Sequence, residues 1–119
     1  METHDIVVIG SGPGGYPAAI RAAQLGAKVA IVEREAVGGT CLNWGCIPTK
    51  TLIASAELFH RMGHAEAMGL RAVKAEYDYA AMAKRKDEVV AKLRGGVETL
   101  LKGNGVTVLR GTGSFRGRN

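Results

Sequence analysis

The chain has 119 residues, of which 46% are hydrophobic and 23% charged, enough for one domain of modest size with a real core. Its net charge of +5 is spread along helix faces and the last few positions, and aromatics are only 5% of residues, which argues against a nucleic-acid-binding surface. No stretch approaches the ~20 apolar residues of a membrane span, and METHDIVVIG lacks the basic start and long apolar run of a secretory signal, so the chain reads as cytoplasmic.

The elements follow in order. Ile6–Ile9 is an unbroken β-branched run that predicts a strand buried on both faces. The glycine loop 10–15 leads into an alanine-rich helix over 18–25, with Gly26 as its stop and Pro17 tolerated near its start. Lys28–Val32 predicts a second buried strand, ending at Glu33. The two strands and the helix between them form one βαβ unit with parallel strands. Beyond residues 38–50, Thr51–Met62 predicts a helix and 63–77 a connecting loop. Asp78 is placed as an N-cap for a long helix. Tyr79, Met82, Val89, Leu93, Val97 and Leu100 mark its apolar face, and the stem of Lys86 fills the gap in that series. Glu88 and Lys92 are spaced to pair on the solvated side. Gly95-Gly96 predicts close packing or a kink, because each glycine weakens a helix by about 1 kcal/mol relative to alanine. Val106–Leu109 is a third strand, followed by a glycine-rich tail. The fold class is α/β, a Rossmann-like βαβ core with a parallel sheet.

Gly10, Gly12 and Gly15 form G-x-G-x-x-G between a strand and a helix, with Gly14 alongside. The first glycine permits the tight turn, the second lets a pyrophosphate approach the backbone, and the third allows helix and strand to pack closely. The helix terminus offers free N–H groups to phosphate. Glu33 ends the second strand about 20 residues on, as expected of a carboxylate that binds ribose hydroxyls. In this context the pattern points to dinucleotide binding.

Both cysteines lie in GGTCLNWGCIPTK, as Cys41 and Cys46. A structural zinc site usually needs four N/S ligands. His60 and His64 make a Cys2His2 set formally possible, but the C-x4-C step is not a usual zinc-finger spacing, and the two histidines fit a solvated helix face; no metal is expected. In regular helix, residues five apart are separated by roughly 7.5 Å along the axis and point away from each other, whereas a disulfide needs Cα atoms roughly 4.4–6.8 Å apart. A bridged pair here therefore requires a loop or distorted turn, which Asn43 and Gly45 permit. In a reducing compartment two nearby cysteines are catalytic or metal-binding more often than a static staple. A cysteine just before the helix started by Pro48 would have a stabilised thiolate, with Lys50 as a nearby cation.

GSGPGG, VERE and GGTCLNWGCIPTK together resemble the pyridine nucleotide–disulfide oxidoreductases with a C-x4-C redox disulfide, and the resemblance continues through KDEVVAKLRGGVETLLKGNGVTVLRGTGSF. Leu42-Asn43 and Ile47-Pro48 look most like the dihydrolipoamide-oxidising branch; glutathione and mercuric reductases share the pattern but more often have valine at the two apolar positions. The resemblance implies that residues 1–119 are the first part of an FAD-binding domain, without the NAD, central and dimerisation domains. It implies FAD cradled by Gly10, Gly12, Gly14 and Gly15, with Glu33 on the ribose and Gly113 near the adenine. Gly39 and Thr40 would line the cofactor beside the disulfide, and Lys50 would sit near the flavin ring. Cys41 would be the interchange thiol that meets the substrate, and Cys46 the flavin-proximal sulfur. NAD+ would be the co-substrate, a lipoyl group on an acyltransferase or H-protein-type carrier the partner, and a homodimer the working form. The family's general-base histidine comes from the partner subunit, and His4, His60 and His64 do not match its motif. Alone, the 119-residue chain is expected to hold FAD weakly and to turn nothing over. Trp44 departs from the smaller or aliphatic residue usual at its position; a large aromatic there can pack the loop or tune access to the pair, and core packing is the expected role.

Overall fold

The computed structural model describes residues 2–71 and 74–117. Positions 72 and 73 of the expected 63–77 loop, Met1, and the last two residues of the tail lie outside the described residues. Three strands, β1 (Ile6–Ile9), β2 (Val29–Glu33) and β3 (Thr107–Arg110), form one parallel sheet in the order β1-β2-β3. The register pairs Val8 with Ile31 and Glu33 with Arg110. Helix α1 (Gly15–Gln24) joins β1 to β2, and Pro17 falls in its first turn, where no internal acceptor is lost. Gly26, at φ +95°, ends that connection.

The long excursion from β2 to β3 contains α2 (Gly39–Asn43), α3 (Cys46–Gly63), a 3-10 turn (Ala65–Met68) and α4 (Tyr79–Gly103). Helices α3 and α4 pack together as an arm, and the molecule measures 67 × 26 × 21 Å. The core is confined to the sheet end: Ala19, Val29, Ile31, Val37, Leu42, Val90, Val97, Leu101 and Val106 cluster there, while α3 has no fully buried residue.

Four expectations change. First, β1 is not buried on both faces. It is an edge strand in this sheet, with Ile6, Val7 and Ile9 exposed and only Val8 packed on the core; β2, flanked on both sides, has the buried role. Second, the core face of α4 runs through Val90, Arg94, Val97 and Leu101, rotated from the expected stripe, so that Tyr79, Leu93 and Leu100 are exposed. Third, Lys84 rather than Lys92 pairs with Glu88, at 3.9 Å. Fourth, nothing packs closely where a side chain at Gly95 or Gly96 would stand: α4 runs uninterrupted through both, and a Cβ on either would meet no atom within 4 Å. Gly95→Ala is therefore expected to stabilise the chain by about 1 kcal/mol, read as a raised urea midpoint with unchanged slope. Asp78 caps α4 as expected, its Oδ1 accepting from the Ala81 amide at 3.0 Å, and the Lys86 side chain is largely covered.

Candidate functional site: a disulfide in a glycine-lined cleft

The glycine loop leaves β1 at Gly10, whose N–H donates to the Val32 carbonyl at 2.8 Å and whose φ is +92°. The conserved-looking spacing of its glycines hides different physical demands. Gly10 needs its conformation. Gly15 needs its missing side chain, because a Cβ there would stand 1.9 Å from the Gly10 carbonyl oxygen. Gly12 and Gly14 need neither: their φ values are not positive, and an added Cβ would meet no atom within 4 Å. What these two keep open is space in front of α1, whose start has no side-chain cap.

Ser11 ties the loop to its surroundings. It is completely buried. Its amide and hydroxyl donate to Glu33 Oε2 at 3.0 and 2.5 Å, and its carbonyl and hydroxyl oxygens accept from the Gly38 amide at 3.1 and 3.2 Å. Glu33 Oε1 accepts from the Glu35 amide at 2.9 Å. Burial of Glu33 would raise its pKa, but the Ser11 hydroxyl and the Glu35 and Ser11 amides together outweigh it and hold the carboxyl below its ordinary 4.5. A carboxylate has about four acceptor sites; three are used here by the chain itself, leaving room to share with a further hydroxyl.

The break in regular helix that bridging requires is a turn at Trp44-Gly45 between two helices. Gly38 (φ +98°) and Gly39 (φ +64°) turn the chain into α2, which carries Cys41; Trp44 and Gly45 interrupt it, and Cys46 is the first residue of α3. The two cysteines thus belong to separate helices, with Cα atoms 4.7 Å apart and a disulfide between them. Tight contacts enforce this fold. A Cβ on Gly39 would lie 2.7 Å from Gly12 Cα, and one on Gly45 would lie 3.1 Å from the Thr40 carbonyl oxygen. Pro48 sits in the first turn of α3, as expected, and the helix begins at Cys46.

One cleft of about 610 Å³ brings together Gly10, Gly12, Glu33, Gly39, Thr40, Cys41 and Cys46. A smaller neighbour of about 300 Å³ joins Gly10 and Glu33 to Gly113, whose backbone abuts Ile9. Gly14 and Gly15 flank the cleft at the start of α1 without lining it. Lys50 lies one turn along α3 from Cys46, exposed, and lines neither cavity. Trp44 does not pack in the core: it is 57% exposed and forms part of the cleft wall beside the disulfide. His60 and His64 are exposed and stack on each other at 4.3 Å. Among the described residues no group of three or more His, Cys, Asp or Glu is arranged to hold a metal, and no helix is long and apolar enough to cross a membrane. Sequence reasoning missed Ser11, which occupies a variable position of the glycine motif, and the buried side chain of Asn43.

A parallel sheet, a glycine loop and a disulfide opening on one cleft define a nucleotide-binding disulfide oxidoreductase scaffold. The family model for pyridine nucleotide-disulphide oxidoreductases matches residues 4–119, and the chain belongs to that family. It is 56% identical over 100 residues to a dihydrolipoyl dehydrogenase of Zymomonas mobilis, covering 83% of this chain and 22% of that one. It is 58% identical over 97 residues to a dihydrolipoyl dehydrogenase of Thermus scotoductus, covering 82% and 21%. Among solved structures, it is similar to the Cu(II) complex of the HOCl-induced flavoprotein disulfide reductase RclA from Escherichia coli, with a TM-score of 0.73, 33% identity, and coverage of 92% of this chain and 22% of that one. The chain spans about a fifth of the length of the curated relatives it matches.

Proposed function

We propose that residues 1–119 are the amino-terminal part of the FAD-binding domain of a cytoplasmic dihydrolipoyl dehydrogenase. The whole protein oxidises a lipoyl dithiol, held on an acyltransferase or H-protein-type carrier, with NAD+, and works as a homodimer. One observation carries this reading: the Cys41–Cys46 bridge opens on the same cleft as Gly10, Gly12 and Glu33. The identity to two dihydrolipoyl dehydrogenases, 56% and 58%, supports the choice of substrate over glutathione or mercuric ion. The exposed apolar edge of β1 supports the place of this chain within a larger sheet.

The space before Gly12 and Gly14, where an added Cβ would meet no atom within 4 Å among the described residues, fits a pyrophosphate. In this proposal Gly10, Gly12, Gly14 and Gly15 hold the pyrophosphate of FAD, Glu33 the ribose and Gly113 the adenine side. Gly39 and Thr40 line the cofactor beside the disulfide, and Lys50 lies near the flavin ring. When bound, FAD would supply a two-electron acceptor for the reduced cysteines and a donor to NAD+.

The chain's own residues perform the thiol chemistry. A lipoyl thiolate attacks the Cys41 sulfur; the Cys41–Cys46 bond breaks, and Cys46 leaves as a thiolate. Cys46 is the first residue of the 18-residue α3, and the partial positive charge of a helix start favours that thiolate. The second lipoyl thiolate then attacks the lipoyl sulfur of the mixed disulfide, closing the lipoyl ring and releasing Cys41 as a thiolate that takes up a proton. The substrate loses two electrons, and the cysteine pair gains them.

Two measurements test the proposal. Thiol titration of the denatured, non-reduced chain should find no free cysteine before mild reductant and two after it. A protein extended to the length of the relatives should reduce NAD+ with dihydrolipoamide. Consumption of glutathione disulfide or mercuric ion in place of lipoyl substrates would overturn the assignment.

A further inference from the structure

Asn43 lies between the two cysteines in the chain, its side chain is buried, and both ends of its amide are hydrogen-bonded. Nδ2 donates to the carbonyls of Val37 and Gly39 at 3.0 and 2.9 Å, closing the turn from which α2 starts. Oδ1 accepts from Arg94 Nη1 at 3.2 Å. Arg94 comes from α4, 51 residues further along the chain. It stands on the core-facing stripe of that helix, between Val90 and Val97, and makes no ion pair among the described residues. A half-buried guanidinium without a carboxylate is uncommon, and its recorded side-chain partner is this one amide.

The segment it reaches is short and depends on contacts from outside it. Helix α2 has five residues and no side-chain cap, far below the length at which an isolated helix is stable. While the disulfide is closed, the bond itself keeps Cys41 beside Cys46. Once the pair is reduced, only non-covalent contacts keep Cys41 in place. Those contacts fix how concentrated each thiol is in the neighbourhood of the other, and that concentration sets how readily the disulfide re-forms.

We propose that Arg94 is a positioning residue for the redox pair: through Asn43 it holds the α2 turn that carries Cys41 against Cys46, and so sets the thiol–disulfide equilibrium of the pair. The inference rests on the redox role proposed above. Loss of the Arg94 donor loosens α2 and shifts the equilibrium toward the dithiol.

The test equilibrates the 119-residue chain in mixtures of reduced and oxidised glutathione. In the exchange, two glutathione thiols are oxidised to one glutathione disulfide for each Cys41–Cys46 bridge reduced to two thiols. Alkylation then counts the thiols. Arg94→Met and Arg94→Ala, which both lack the donor and are both good helix formers, are each expected to shift the equilibrium constant toward dithiol by about fivefold; a tenfold shift would correspond to about 30 mV. Arg94→Lys keeps a donor and is expected to stay within about twofold of the parent. Circular dichroism of each oxidised variant should match the parent, because the bond then holds the loop. Parent-like equilibria in both Arg94→Met and Arg94→Ala, or an Arg94→Lys shift as large as theirs, would overturn the inference while leaving the redox role intact. A parent pair that does not exchange reversibly with glutathione would overturn both.

Discussion

Replacing Gly15 by alanine is expected to lower the unfolding free energy by roughly 3 kcal/mol or more. The added Cβ would stand 1.9 Å from the Gly10 carbonyl oxygen, 3.0 Å from its carbon and 3.5 Å from Val8 Cγ1. Neither side can retreat at low cost. Gly10 is held to β2 by its N–H bond to Val32 at 2.8 Å, and Gly15 to the loop by its N–H bond to the Gly12 carbonyl at 2.9 Å. Relief requires α1 to move off β1, which lifts the fully buried Ala19 out of the core. Urea denaturation should show an earlier midpoint with the slope preserved. Gly14→Ala supplies the contrast. Its φ of −89° and ψ of −32° suit any residue, and its Cβ would enter open space, so its stability should change by no more than about 0.5 kcal/mol. Equal losses in the two variants would show that close approach of helix and strand is not what Gly15 provides.

That contrast also marks where the sequence is legible. Strand, turn and helix types were readable because β-branched runs, glycines at fixed steps and the Asp78 cap are local signals. Cys41 and Cys46 were readable as a special pair because their spacing conflicts with a bridge inside one helix. Burial was less readable, because it depends on neighbours. Ile6–Ile9 has the composition of a central strand, yet among the described residues only β2 lies beside it. The α4 face was only partly placed: Val97 and the Lys86 stem are covered as expected, but a core-facing arginine was not counted. Arg94 occupies a core-facing position that pattern reading assigns to Leu93, and it can do so because Asn43 supplies an acceptor 51 residues away. Trp44 reads as core by its size, but it ends α2 where the chain turns into α3, and its indole is left on the cleft wall. Ser11 was passed over because the glycine motif allows any residue at its position; its role appears only when Glu33 and Gly38 converge on it.

Acid titration should expose the convergence on Ser11 through Glu33. The Glu33 carboxyl is 8% exposed and accepts hydrogen bonds from the Ser11 amide and hydroxyl and the Glu35 amide. Its folded pKa lies below the ordinary 4.5 despite the opposing effect of burial. A lowered folded pKa means that the unfolded chain takes up its proton first as pH falls. The stabilisation is therefore complete above about 4.5 and is lost progressively as pH drops through the lower folded value. In Glu33→Gln that dependence should vanish from the acid limb of the stability profile. Stability at pH 7 should also fall by about 2 kcal/mol, because a glutamine NH2 facing one of these amides leaves a buried donor without an acceptor. Urea unfolding at a series of pH values between 3 and 7 separates the two effects. A variant that is weaker at pH 7 but keeps the parent's acid slope would assign that slope to other carboxylates. The expected result, a flat slope together with a lower plateau, would mean that this one ionised side chain fastens the glycine loop to the end of β2. Because Ser11 also receives the Gly38 amide, protonation at Glu33 would then loosen the turn into α2, and with it the footing of Cys41.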